Sequence, residues 1–235
     1  MSDMDGRKIS AIFKKQLKDT MKNKTVLIQF IMFPLLVVIM DHSIKMEHME
    51  EHFFVPLFAT MYMGMAPLTS MASILAEEKE KNTLRVLFLS NVKPMEYLIG
   101  IGSYILLACM LGTGVFAVTG EYKGRELLEF LFIMLAGILI STLIGAAIGA
   151  WSKNEMSATS ISVPVMMIFS FLPMIAMFNN TVKNISRLLW SGQINRFLNQ
   201  LGTAGMDMET VCVLLVNGAI VLFLFGMAYK KSGLA

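Results

Sequence analysis

Charge is scarce in this sequence. Asp, Glu, Lys and Arg make up 16% of its 235 residues, against about 25% in an ordinary soluble domain. Hydrophobic residues make up 55%, so the chain lacks the polar surface to cover a soluble fold and reads as a membrane protein. Cysteine is also rare. Cys109 and Cys212 both fall in apolar segments, where a thiol behaves as a small packing group, and two such residues make no disulfide scaffold. All three histidines, His42, His48 and His52, sit in one acidic loop. His48 and His52 have a zinc-like helical spacing, but no further Cys or His completes a ligand set, so a solvated loop is expected there rather than a metal site. No G-x-x-x-x-G-K-[ST] phosphate loop occurs, so ATP is not bound by that device.

What the chain has instead is long apolar runs. A hydrocarbon core about 30 Å thick needs roughly 20 apolar residues in a helix. Six stretches approach or exceed that length: 26–40, 53–76, 97–118, 127–151, 158–178 and 211–229, the first being short unless its flanks join it. The expected fold class is therefore an all-α membrane protein, with a six-helix transmembrane domain over 25–235. Residues 1–24 are too polar for a cleavable signal peptide. Ile9, Ile12, Phe13, Leu17 and Met21 recur there at helical spacing with Lys14, Lys15, Lys18 and Lys22 between them, which predicts an amphipathic helix lying along a membrane surface. An even number of spans puts both termini on one side. That side holds 14 Lys and Arg and the other 6, so both termini are expected in the cytoplasm. The net charge of +3 follows from this asymmetry and gives no reason to expect nucleic acid as a partner.

The spans are nearly free of ionisable side chains. Glu96 and Glu129 lie near span ends, and Gln29 and Asn217 are neutral, which disfavours proton-coupled transport and intramembrane acid–base chemistry. In the fourth span Gly137, Ser141, Gly145 and Gly149 recur every four residues, a small-residue stripe suited to close helix packing within the bundle or across a dimer. Pro164 and Pro173 are expected to break or bend the fifth span. Residues 179–210, with Leu188, Leu189, Trp190, Ile194, Phe197, Leu198 and Leu201, predict one or two short amphipathic helices resting at the outer interface.

The stretch from Ala76 to Pro94, AEEKEKNTLRVLFLSNVKP, carries three Glu, three Lys and one Arg in 19 residues. Glu77 to Lys81 extend the second span, Asn82 and Thr83 break it or cap the next turn, and Leu84, Leu87 and Phe88 mark one face of a short helix. Asn91 to Lys93 form a turn, and Pro94 suits the first turn of the third span. A polytopic chain with no energy source of its own and an apolar helix on a charged loop makes sense if a separate subunit docks there.

This hairpin resembles that of the permease subunit of type-2 ABC exporters, on Glu78, Glu80, Lys81, Thr83, Leu84, Leu87, Pro94, Glu96 and Gly100. Asn82 stands where that family usually has Gly, and Ile101 follows Gly100 where Lys is usual. The resemblance extends to the basic N-terminal helix, the small-residue fourth span, the Ser and Pro pattern of FSFLPM and the semi-polar segment before the last span. It implies a plasma-membrane permease that dimerises with a second copy or close homologue and docks a cytosolic ATPase, in which ATP and Mg would be bound, this chain carrying no cofactor or catalytic residue. It also implies coupling through Glu78, Glu80, Thr83, Leu84, Leu87 and Phe88, with the loop 151–157 as a second contact, and a path lined mainly by spans two and five. Met61, Met65, Met166, Ser170 and Met177 are the candidate path residues. Methionine adapts to varied apolar surfaces, so an amphipathic peptide such as a bacteriocin or toxin, or a hydrophobic drug, is the expected cargo. The chain's small size is similar to that of compact peptide and antibiotic exporters of Gram-positive bacteria. A membrane sensor or immunity protein that binds a peptide without moving it is the alternative.

Overall fold

Inside lipid a backbone has no water to bond, so apolar runs of this length satisfy their N–H and C=O groups as helices. The computed structural model describes residues 4–44, 52–202 and 205–231, and among them it holds ten helices and no strand. They are α1 (Gly6–Lys22), α2 (Lys24–Ser43), α3 (Phe54–Glu80), α4 (Thr83–Leu89), α5 (Pro94–Thr119), α6 (Gly124–Trp151), α7 (Glu155–Ala176), α8 (Asn180–Ser186), α9 (Trp190–Leu198) and α10 (Met208–Lys231). Six of them, α2, α3, α5, α6, α7 and α10, are long and apolar enough to cross a membrane. The first span gains its missing length from its flanks, and neither Pro164 nor Pro173 ends α7. His48 falls outside the described residues, while His52 Nδ1 donates to Asp41 Oδ2 at 2.9 Å.

α3 is the axis of the bundle. It is buried along most of its length and packs against α2, α5, α6 and α7, whereas α10 lies on α6 and α9 and turns most of its surface outward. The small-residue stripe explains the closest of these contacts. A Cβ on Gly145 would run into the Leu68 carbonyl of α3, and one on Gly149 would lie 2.9 Å from the Leu75 side chain. Gly137 faces Met63, and Ser141 between them is fully buried. The stripe is thus spent within the chain on the α3–α6 seam, where two parallel helices meet almost backbone to backbone.

The segment before the last span departs from expectation. Two short helices form, but α9 does not rest on the surface. Trp190, Ile194, Phe197 and Leu198 are buried among α3, α6 and α7, with Trp190 and Phe169 in tilted ring contact at 5.3 Å. The polar residues of α9 find partners inside: Asn195 Nδ2 donates to Thr60 Oγ1 at 3.0 Å and Gln193 Nε2 to the Arg187 carbonyl at 2.6 Å. With its amides satisfied, an amphipathic helix can enter the bundle instead of floating on it.

Candidate functional site

The end of the molecule that carries α1, α4 and the α6–α7 connection gathers most of the basic residues and is the basic end below. Its organisation starts from the charged run that finishes α3. Successive residues of a helix point about 100° apart, so neighbours in the run reach different elements. Glu78 Oε1 accepts from Lys15 Nζ and, at 2.7 Å, from Gln16 Nε2, tying α3 to α1. Lys79 Nζ donates to the Ala150 and Ser152 carbonyls, both at 2.6 Å, closing the C-terminus of α6 with a cation where the helix dipole favours one. Glu80 Oε2 accepts from the Glu155 backbone N–H at 2.9 Å, placing a carboxylate at the N-terminus of α7. Glu155 in turn accepts from Ser73 of α3 at 2.9 Å. Glu77 pairs with Lys81 one turn on and, among the described residues, bonds directly to no other helix.

α4 follows through a sharp reversal. Asn82 adopts φ +57°, a left-handed conformation open to Asn at little cost where Gly is more usual. Thr83 Oγ1 donates to the Glu78 carbonyl at 3.1 Å, so the start of α4 is fastened to α3. The orientation of α4 divides its apolar residues between two faces. Leu84 is only 4% exposed, Leu87 and Phe88 pack on the bundle, and Phe88 meets Tyr97 edge-on at 6.4 Å. Val86 and Leu89, 61% and 80% exposed, are the apolar residues turned outward. Five large apolar residues in six positions cover more than one face of a helix, and the face at Leu84, Leu87 and Phe88 is the one the bundle buries. Trp151 and Met156, at the α6–α7 connection on this same end, are also exposed.

α1 is fitted against the hairpin as well. Glu96 accepts the Lys93 N–H at 2.9 Å with one oxygen and the Asp5 N–H at 2.9 Å with the other. Lys8 Nζ donates to the Asn91 carbonyl at 2.6 Å, so both ends of the α4 hairpin are bonded to α1. Between them Gly100 meets Ile12: a Cβ there would sit 2.7 Å from Ile12 Cγ2. Phe13 and Tyr104 lie edge-on at 6.1 Å. Sequence reasoning named Gly100 and Glu96 as pattern residues but missed that both serve α1, and missed Gln16 altogether. Its signal was present, since Ile12, Gln16 and Thr20 are spaced by four and form the buried edge of α1.

The candidate path residues lie along the α3–α7 seam. Gly64 lets Ser170 approach, and the Ser170 hydroxyl donates to the Met61 carbonyl at 3.2 Å. Met61 and Ser170 are buried in that seam, Met65 and Met166 are half-buried, and Met177 is exposed at the far end of the helix pair. In the single chain the first two join α3 to α7, and the outward side of α7 is formed by Ile161, Met167, Ile168 and Ile175. Above the seam, at the end opposite α1, Arg187 and Arg196 both bond to Glu209, and Arg196 also bonds to Asp207. Asp207 caps α10, accepting from the Thr210 N–H at 2.9 Å. Among the described residues no cluster of His, Cys, Asp and Glu is arranged to hold a metal ion.

Comparison with known proteins agrees with this arrangement. The model of the ABC-2 family transporter proteins matches residues 8–230, which takes in all ten helices in whole or part. Over 198 residues the chain is 26% identical to the probable multidrug ABC transporter permease YbhS of Escherichia coli strain K12, and equally to that of Escherichia coli O157:H7. The match takes in 79% of this chain and 50% of each relative, so the chain spans about half the length of the curated relatives it matches.

Proposed function

The chain belongs to the ABC-2 transporter family, a multi-pass plasma-membrane protein, and on that premise we propose that it is the permease subunit of an ATP-driven exporter. The family match over residues 8–230 carries this reading. Both termini and α4 face the cytosol in it, on the strength of the Lys and Arg asymmetry. ATP and Mg are bound by a separate cytosolic subunit, which docks on the outward residues of α4, Val86 and Leu89, with Trp151 and Met156 as a second contact. α4 suits this task because its base is fixed. Glu78, Lys79 and Glu80 join α1, α6 and α7 to the end of α3, so a push on α4 is delivered to four helices at once.

The path forms in this reading when a second copy or close homologue packs along the outward side of α7. Methionine and aliphatic residues dominate that side, which favours a hydrophobic drug or an amphipathic peptide over a highly charged cargo. The relatives' name, multidrug permease, supports the drug class.

The test is association with the ATPase subunit. Val86→Asp and Leu89→Asp should each leave the permease folded and in the membrane but reduce co-purification of the ATPase at least tenfold, because an apolar anchor is replaced by a charge in a desolvated contact. Undiminished association in both variants would sink the docking role. ATP-dependent accumulation of a labelled dye or peptide in reconstituted vesicles then distinguishes an exporter from a chain that only binds.

A further inference from the structure

A groove with a volume of about 490 Å³ runs along the lipid-facing side of the bundle between α1, α2 and α5, away from the α3–α7 seam. Its floor includes Phe30, Pro34, Tyr104 and Gly112, all buried, and its rim includes the exposed Leu17, Leu35, Leu107 and Leu111. Among the described residues, Thr20 and Tyr104 are the only polar side chains lining it. The slot exists because α5 presents Ala108 where a larger side chain would fill it, while Gly112 lets the buried Tyr62 approach α5 from the other side.

Two dimensions say what fits. Along α2 the groove extends from Leu27 to Val38 and along α5 from Tyr104 to Val115, about 16 Å at the rise of an α-helix. That is the depth of one leaflet, half of a hydrocarbon core about 30 Å thick. The groove opens at the α1 end, where Leu17 and Met21 line its mouth. Lys14 and Lys18 flank those residues at three-residue spacing on the same helix, both are exposed, and among the described residues neither has an ion-pair partner. The nearest acid in sequence, Asp19, lies on the far side of α1 beside Lys15 at 3.9 Å. An apolar slot one leaflet deep, with two exposed lysines on the helix that forms its mouth, is complementary to a lipid with an anionic head.

We propose that this groove is a binding site for one anionic phospholipid of the leaflet on the α1 side, with an acyl chain between α2 and α5 and the phosphate on Lys14 and Lys18. The site holds α1 against α2 and α5 from the lipid side, and it is separate from any transported cargo. Phosphatidylglycerol and phosphatidylcholine with identical chains, titrated onto the full chain in mild detergent and counted by native mass spectrometry, test it. Wild type should retain one phosphatidylglycerol in preference to phosphatidylcholine. A lysine near an anionic head contributes about fivefold in affinity, so Lys14→Gln with Lys18→Gln should weaken phosphatidylglycerol about 30-fold and abolish the preference, while Lys153→Gln, at the same end but away from the groove, should change neither. Ala108→Trp, which fills the slot, should block both lipids. Equal binding of the two lipids by wild type, or an undiminished preference in the double lysine variant, would overturn the assignment.

Discussion

At the basic end, Glu78, Lys79 and Glu80 bond to residues 62 to 75 positions away in the chain, whereas at the opposite end the ion pairs of Arg187, Arg196, Asp207 and Glu209 close over 11 to 22 positions. Exposure separates Glu78 from Glu209 as well. The Glu78 side chain is 9% exposed and that of Glu209 40%. A long-range bond shielded from water fixes how helices stand to one another. A local, solvated pair shapes a single connection and is weakened by salt. The basic end is therefore built to act as one body, and the opposite end to hold α8 and α9 in place over the seam.

The comparison breaks most readily at Gly100. Valine there would drive into Ile12 and the Ile9 carbonyl, so α1 must lift away from α5 and lose its bonds to Glu78 and Glu96. A loss of about 3 kcal/mol is expected, the upper range for overpacking a tight contact. Thermal unfolding of the purified chain in detergent should show it as a lowered midpoint, and Ile12→Ala in the same chain should restore much of the loss. An α1 that merely lay in lipid would show neither effect.

A smaller loss, about 2 kcal/mol, is expected for Glu78→Gln. The amide keeps the shape and can still accept from Gln16, but Lys15 loses its buried charged partner and keeps only the longer contact to the exposed Asp19 at 3.9 Å. The same substitution at Glu209 should matter less, because Arg187 and Arg196 stay solvated and Asp207 remains beside Arg196. Melting curves of both variants at low and high salt sharpen the contrast: the Glu78→Gln loss should persist in salt, and the Glu209→Gln loss should fade. Equal and equally salt-sensitive losses would mean that the two ends use charge in the same way.

The spans were legible because lipid imposes one rule on them, length of apolar sequence, and each satisfies it locally. The family was legible from the order of its patterns. What the sequence could not disclose were choices made between distant elements. Nothing local distinguishes Glu78, which grips α1, from Glu77, which pairs with Lys81 on its own helix. Nothing in the pattern of α4 says which of its two apolar faces the bundle takes: Leu84, Leu87 and Phe88 pack on it, and Val86 and Leu89 are turned outward. α9 carries the pattern of a surface helix, and its insertion depended on Thr60, more than a hundred residues earlier, accepting from Asn195. The candidate path residues divide for the same reason: Met61 and Ser170 are seam residues because Gly64 brings α7 close to α3.

The smallest expected effect tests whether the local end is organised by charge at all. Asp207 is held below the usual carboxylate range by hydrogen bonds from Thr210, through its hydroxyl and its backbone N–H. Asp207→Ala removes the cap of α10 and should cost about 1 kcal/mol near neutral pH. Because the folded carboxyl titrates below the unfolded one, its contribution is complete above the ordinary Asp value of about 3.9 and is lost as pH falls through the folded value. The gap between wild type and Asp207→Ala should therefore close toward pH 3. Asp207→Asn, an equally good cap with no charge to lose, should stay near wild type at neutral pH and keep its advantage over Asp207→Ala in acid. Melting curves from pH 7 to pH 3 decide the matter. A gap that does not change with pH would mean that Asp207 serves α10 by packing, and the ionic account of that end would then rest on the two arginines and Glu209.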